Sequence, residues 1–250
     1  MIVLKNSREL AKMREAGRVS ARALRLAGEA VQPGVTTAEI DAVVRRYIEG
    51  QGAKPSFLGY GGFPASACIS VNNVVIHGIP SKKIVLKEGD IVSVDVGACL
   101  DGFHGDNAYT FACGKVSAQA QALMDATRKS LYAAIEAAKA GARIGDIGST
   151  VQRYVEARNY SVVRDFVGHG VGAKLHEDPS VPNFGTPGRG VRLLPGMTIA
   201  IEPMINQGTH RVKILDDEWT TVTADGKLSA HYEHTIAITP SGPQILTLAD

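Results

Sequence analysis

Cysteine and tryptophan are scarce: the 250 residues include three cysteines and a single tryptophan. Cys68, Cys99 and Cys113 form no CxxC pair and leave one thiol over. That pattern fits packed thiols in a reducing compartment better than a disulfide framework or a thiolate zinc site. Long hydrophobic runs are missing too. Every apolar stretch is broken by charge or glycine before the ~20 residues a membrane-spanning helix needs, and the opening "MIVLKNSREL" is too short an apolar run for a signal peptide. A cytoplasmic protein is expected. Charge of one sign is likewise absent, since the formal net charge is +2 with Lys and Arg spread along the chain. Without a basic stripe, nucleic-acid recognition is not implied. What remains is an ordinary globular composition, 44% hydrophobic, long enough for one α/β domain or two small ones. No zipper or surplus amphipathic surface calls for a partner, so a monomer is expected.

The chain repeats itself. Residues 34–49, "GVTTAEIDAVVRRYIE", and 141–156, "GARIGDIGSTVQRYVE", align without a gap at an offset of 107. Ile40 matches Ile147, Val44 matches Val151, and Arg46, Tyr47 and Glu49 match Arg153, Tyr154 and Glu156. Apolar residues at helical spacing make each copy an amphipathic helix packed on a sheet. Thr36 and Glu39 supply a capping box to the first copy, and Gly50 a stop. At the same offset "LKEGDIVSVD" (86–95) matches "LLPGMTIAIE" (193–202), each a glycine turn running into a strand, which sets Asp95 opposite Glu202. A third echo, "HGIP" against "HEDP", sets His77 opposite His176. Two similar halves, about 1–115 and 116–250, are expected to meet across a pseudo-two-fold with a ligand pocket at their interface. Helices are expected over about 6–30, opened by Asn6 and Glu9, and over about 117–140. The fold class reads as α+β, an antiparallel sheet covered by helices.

The stretch "FVGHGVGAKLHEDP" carries His169 and His176 seven residues apart. Two helical turns would align them, but Gly168, Gly170 and Gly172 argue against a helix, so their partners lie elsewhere in the chain. "VDVGACLDGFHGDNAYTF" places Asp95 and Asp106 eleven residues apart on the two strands of an expected hairpin. Glu202 and Glu233 stand among β-branched residues, where an acid is out of character. One such acid alone reads best as an edge or turn residue. Four together in a partly buried pocket would repel unless protons or cations intervened. A pair of divalent cations ~3.5–4 Å apart, bridged by carboxylates, meets that requirement. Carboxylate oxygens with one imidazole suit Mn, Fe(II), Co or Zn.

In order, spacing and identity, "HGIP", "VDVGA", "FHGDNAYTF", "VGHGVG", "LHEDPSVPNF", "GMTIAIEPM" and "SAHYEHTIAIT" resemble the type I methionine aminopeptidases, whose fold is the duplicated pita-bread fold. The resemblance covers nearly the whole of residues 1–250 as a single catalytic domain, and with no long extension ahead of it the short bacterial form is expected. It implies that Asp106 and Glu233 bridge two divalent metal ions, that Asp95 chelates one of them, and that His169 and Glu202 complete the other. It implies an enzyme that removes the N-terminal methionine from nascent polypeptides at the ribosome, preferring a small second residue, by attack of a metal-bridging water or hydroxide on the first peptide bond. Glu202 would be the general base, His176 a hydrogen-bonding group at the scissile carbonyl, and His77 a group by the peptide nitrogen.

By the same resemblance the methionine pocket is walled by Phe57, Tyr60, Phe63, Cys68, Leu175 and Trp219, although the aromatic residues of "FLGYGGF" and a buried Cys68 also fit a plain core. Asn72, Val74 and Ser229 would hold a monovalent cation, Na or K. Asn107, Ile76, Leu175 and Phe63 depart from residues common in the family, which touches pocket shape and metal tuning rather than the reaction class. X-Pro peptidases share the fold but usually carry an additional N-terminal domain. A non-catalytic relative is expected to have lost ligands, and all five are present here.

Overall fold

The computed structural model describes residues 1–249. Helix α1 (Ser7–Ala30) opens on the anticipated capping box: Asn6 Oδ1 accepts from the backbone N–H of Arg8 and Glu9, and Glu9 Oε2 accepts from the N–H of Asn6. Helix α2 (Thr37–Gly50) opens in the same way on Thr36 and Glu39. Helix α3 (Ala118–Ala137) stops short of residue 140, because Gly141 at φ +90 turns the chain and donates its N–H to Leu193 O at 2.9 Å. Helix α4 (Ile144–Glu156) buries Ile147, Val151 and Val155, the positions that lie 107 after Ile40, Val44 and Ile48 on the buried face of α2.

The same offset recurs in the hydrogen bonding. Gly34 N–H donates to Leu86 O at 2.8 Å and Gly141 N–H to Leu193 O at 2.9 Å; Leu86 N–H donates to Val35 O and Leu193 N–H to Ala142 O, both at 2.8 Å. The "HGIP" and "HEDP" segments differ locally. His77 takes a left-handed backbone, φ +58, outside any strand, whereas His176 leads directly into the strand Glu177–Val181.

Two antiparallel sheets carry the architecture. In the first, strand Ile91–Leu100 pairs with Phe103–Ala112 on one edge and with Ala67–Val71 and Lys54–Pro55 on the other. The second runs Gly242–Ile245, His234–Thr239, Thr198–Ile201, Gly168–Gly170, Glu177–Val181. Ile40, Ile48, Ile69, Leu86 and Val94 pack into one buried cluster beneath α1 and α2. Leu123, Leu131, Ile147, Leu193 and Ile199 pack into another beneath α3 and α4, and Tyr109 packs against both. Each such Leu or Ile side chain contributes roughly 1.5–3 kcal/mol by leaving water. Among the described residues no helix is long and apolar enough to cross a membrane.

Candidate active site

The first carboxylates come from a tight hairpin. Leu100 faces Phe103 across a two-residue turn, Asp101 at φ +50 and Gly102 at φ +78, the paired left-handed geometry that matches strand twist. That register sets Asp106 opposite Gly97, so Asp95, two residues along the same strand from Gly97, shares its face. Glu233 reaches this face from the other half of the chain. Its N–H donates to Ala108 O at 2.9 Å, and Thr235 Oγ1 both donates to Asp106 O (2.8 Å) and accepts from Asp106 N–H (3.1 Å).

Glu202 directly follows strand Thr198–Ile201, whose Ile201 pairs with His234, and so arrives at the same end of the sheet as Glu233. His169 sits on the neighbouring strand. The glycines around it are steric requirements: a Cβ at position 168 would stand 2.4 Å from Ala200 O, and one at 170 would stand 2.2 Å from Asp178 O.

These elements bring the five residues expected as ligands together. Ligand atoms of Asp106, His169 and Glu233 lie within 4.8 Å of one another. His169 Nε2 is 3.5 Å from Glu202 Oε1 and 3.8 Å from Asp106 Oδ2. Asp95 Oδ1, Asp106 Oδ1 and Glu233 Oε1 are buried without a hydrogen-bond partner. Burial pushes Asp106 up to about 7. Burial and then the charge on Asp106 push Asp95, Glu202 and Glu233 well above the usual carboxylate range. Burial, followed by the charge of His176, holds His169 down at about 4, so its imidazole is neutral. Its Nδ1 lies 2.8 Å from Gly170 O, which only accepts; the proton is therefore on Nδ1, and Nε2 turns a lone pair to the acids. Unpartnered buried oxygens and an imidazole held in its ligating tautomer are what divalent cations require.

Beside the acids opens a cavity of about 260 Å³, lined among others by Phe57, Tyr60, Phe63, Cys68, Leu175 and Trp219, all six residues expected as the pocket wall. Phe63 meets Trp219 edge-on at 5.1 Å. Burial, then Asp95 and Asp106, pushes the Cys68 thiol up, so it is a packing thiol and not a thiolate. His77 and His176 line the same cavity. His176 Nδ1 is 2.6 Å from Tyr60 Oη, and its ring centroid is 4.1 Å from that of His169. Burial holds His77 down at about 4.

Two neighbours escaped the sequence reading. Phe166 lines the cavity and meets His77 edge-on at 5.7 Å. His231 is buried, with Nε2 unpartnered and 3.7 Å from Glu202 Oε2. Its position two residues before Glu233 in a β-rich segment was the available signal. Asn107 is buried in hydrogen-bond contact with Ser20 Oγ of α1. Asn72, at φ +56, accepts from Ser229 N–H at 2.9 Å through its backbone carbonyl, while its side-chain amide is engaged by Asp90 and Ile91. Val74, two residues on, pairs with Val222.

The family model of metallopeptidase family M24 matches residues 11–240. The chain is 58% identical over 248 residues to a methionine aminopeptidase of Clostridium perfringens, covering 99% of both chains. The crystal structure of a methionine aminopeptidase from Thermotoga maritima superposes with a TM-score of 0.97 at 48% identity, covering 99% of each chain. A prolidase from Pyrococcus furiosus, 23% identical, shares the pita-bread fold, with a TM-score of 0.80 over 99% of this chain and 66% of its own. Relatedness across the full length agrees with the acid cluster and the fold, and the chain belongs to metallopeptidase family M24, among its methionine aminopeptidases.

Proposed function

We propose that this chain removes the N-terminal methionine from polypeptides whose second residue is small, using two divalent cations, Co, Mn, Fe(II) or Zn, held by Asp95, Asp106, His169, Glu202 and Glu233. By the family resemblance Asp106 and Glu233 would be shared between the two, Asp95 would hold one, and His169 with Glu202 would hold the other. The observation that carries the reading is two buried acids, Asp106 and Glu233, two half-buried ones, Asp95 and Glu202, and a neutral imidazole lining one cavity. When bound, the cations neutralise the acids, polarise the scissile carbonyl and acidify the attacking water.

The remaining roles belong to side chains. Phe63, Trp219 and Cys68 receive the methionine thioether, which packs favourably on aromatic edges. Tyr60 Oη shares a hydrogen bond with His176 Nδ1, and in the tautomer that carries its proton on Nε2 the imidazole donates to the scissile carbonyl oxygen. These roles call for opposite tautomers in the two histidines of "GHGVGAKLHEDP", one to ligate and one to donate. Glu202 takes a proton from the attacking water as the C–O bond forms and delivers it to the amine nitrogen as the C–N bond breaks. His77 serves the peptide nitrogen. The substrates are nascent N-termini at the ribosome, the enzyme is a cytoplasmic monomer, and Na or K binds at Asn72, Val74 and Ser229.

The test is release of free methionine from Met-Ala-Ser beside an X-Pro tripeptide, with metal-free protein titrated with Mn, Fe(II) or Co. Methionine release that depends on added metal, with the X-Pro peptide intact, is the expected result. Silence on both peptides in folded, metal-loaded protein would overturn the reading.

A further inference from the structure

The segment ahead of α1 ends in a buried charge that the reaction does not use. Lys5 is 7% exposed, and its Nζ donates to Glu177 Oε2 at 2.5 Å and to Val3 O at 3.0 Å. The Lys5 backbone N–H is tied to Gly196 O at 2.7 Å. Glu177 is the residue after His176. Its other oxygen, Oε1, accepts from Lys174 N–H at 3.2 Å, and Gly172 N–H donates to Lys174 O at 3.0 Å, so the 172–177 loop closes around the Glu177 carboxylate. The pair packs directly on the loop backbone: a Cβ on Gly172 would stand 2.4 Å from Glu177 Oε1 and 2.6 Å from Lys5 Cε. The next residue, Asp178, forms an ion pair with the Met1 ammonium, so the N-terminal segment grips two consecutive residues after His176.

Desolvating an ion pair is unfavourable, so a buried pair is weak evidence for stability and needs another account. Here the pair has a specific neighbour. Among the described residues the His176 imidazole has one side-chain hydrogen bond, with Tyr60, which is 46% exposed and lines the cavity. The backbone that aims the ring is held from behind, by Glu177. We propose that Lys5 is a positioning residue for His176: through Glu177 it fixes the loop that aims the imidazole at the scissile carbonyl. This rests on the reading of His176 as the carbonyl's hydrogen-bond donor.

The experiment compares kcat and KM for methionine release from Met-Ala-Ser in the metal-loaded wild type, Lys5→Met, Lys5→Arg, the paired Lys5→Met/Glu177→Gln, His176→Ala, and Lys5→Met/His176→Ala. Melting temperature and calorimetric metal affinity are measured alongside. Misplacing a group by ~1 Å can cost on the order of 100-fold in rate, so Lys5→Met is expected to lower kcat by roughly 10- to 100-fold, with KM and metal affinity changed less than about threefold. Lys5→Arg is expected to recover most of that loss. In the His176→Ala background, Lys5→Met should change kcat by less than about twofold, because the group it positions is gone. An equal loss in both backgrounds would overturn the proposal, since the effect would not pass through His176. So would a paired variant that melts like the wild type and keeps full kcat; having no uncompensated charge, it stays informative even where Lys5→Met does not fold. Full activity in His176→Ala would remove the underlying role of His176 itself, and that arm tells the two failures apart.

Discussion

A Cβ built on Gly105 would lie 2.5 Å from the Cα of Gly17. Helix α1 therefore rests backbone on backbone against the strand that carries Asp106. Any side chain at 105 would lift the helix or bend the strand next to a candidate ligand. Gly105→Ala is expected to destabilise the metal-free protein by about 1–3 kcal/mol, the usual range for overpacking, measured by urea denaturation. A change within ~0.5 kcal/mol would show that α1 shifts freely and does not seat the strand.

Glu202→Gln keeps a ligand oxygen but removes the base. Loss of general-base catalysis costs about 10²- to 10⁴-fold, so kcat should fall within that range while peptide affinity stays within a few-fold. Steady-state kinetics and calorimetric binding of a Met-Ala-Ser analogue separate the two. Wild-type turnover in this variant would take the base role away from Glu202.

Stability of the metal-free protein should fall as pH rises above 6.5. The carboxyl groups of Asp95, Asp106, Glu202 and Glu233 are raised in the folded state, so the native protein holds protons that the unfolded chain has released. The slope of unfolding free energy with pH is then negative. The opposing groups are histidines held low by burial, His77, His169 and His234 at about 4, His231 at about 3, and His104 and His176 below the usual imidazole value; they cost stability only as pH drops below their unfolded value. Asp106, titrating near 7, accounts for roughly 1 kcal/mol between pH 6.5 and 8. Thermal melts across that range should decline without metal and level off or rise with added Mn. A flat profile without metal would mean the acids are balanced by something other than protons or cations.

Tyr60→Phe removes the hydroxyl hydrogen-bonded to His176 Nδ1 while keeping the ring in the cavity wall. One neutral hydrogen bond contributes about 1 kcal/mol, so kcat should fall roughly fivefold with KM little changed. A rise in KM at constant kcat would instead make Tyr60 a methionine contact only.

Much of this molecule was legible along the chain because the deciding interactions are local. The capping boxes at Asn6/Glu9 and Thr36/Glu39 mark helix starts within three residues, and the Asp-Gly turn at 101–102 sets a hairpin register that puts Asp95 and Asp106 on one face. The repeat at offset 107 named the matching buried faces of α2 and α4. The five acid and imidazole positions came from motif order, and packing brought them together.

The contacts that tune the site were not written in any one segment. His231 against Glu202, Phe166 against His77, and Lys5 against Glu177, 172 residues away, each join segments whose spacing along the chain carries no signal for the meeting. The three rest on burial, and a lysine at position 5 reads as a surface charge until the fold closes over it. By itself, then, the sequence determined the helices, the hairpin and the chemistry of the donor set, since those depend on neighbours a few residues apart. Which tautomer His169 holds, which oxygens stay unpartnered and which charge aims the His176 loop were decided by the tertiary structure, because desolvation and hydrogen-bond geometry exist only once the two halves have packed together.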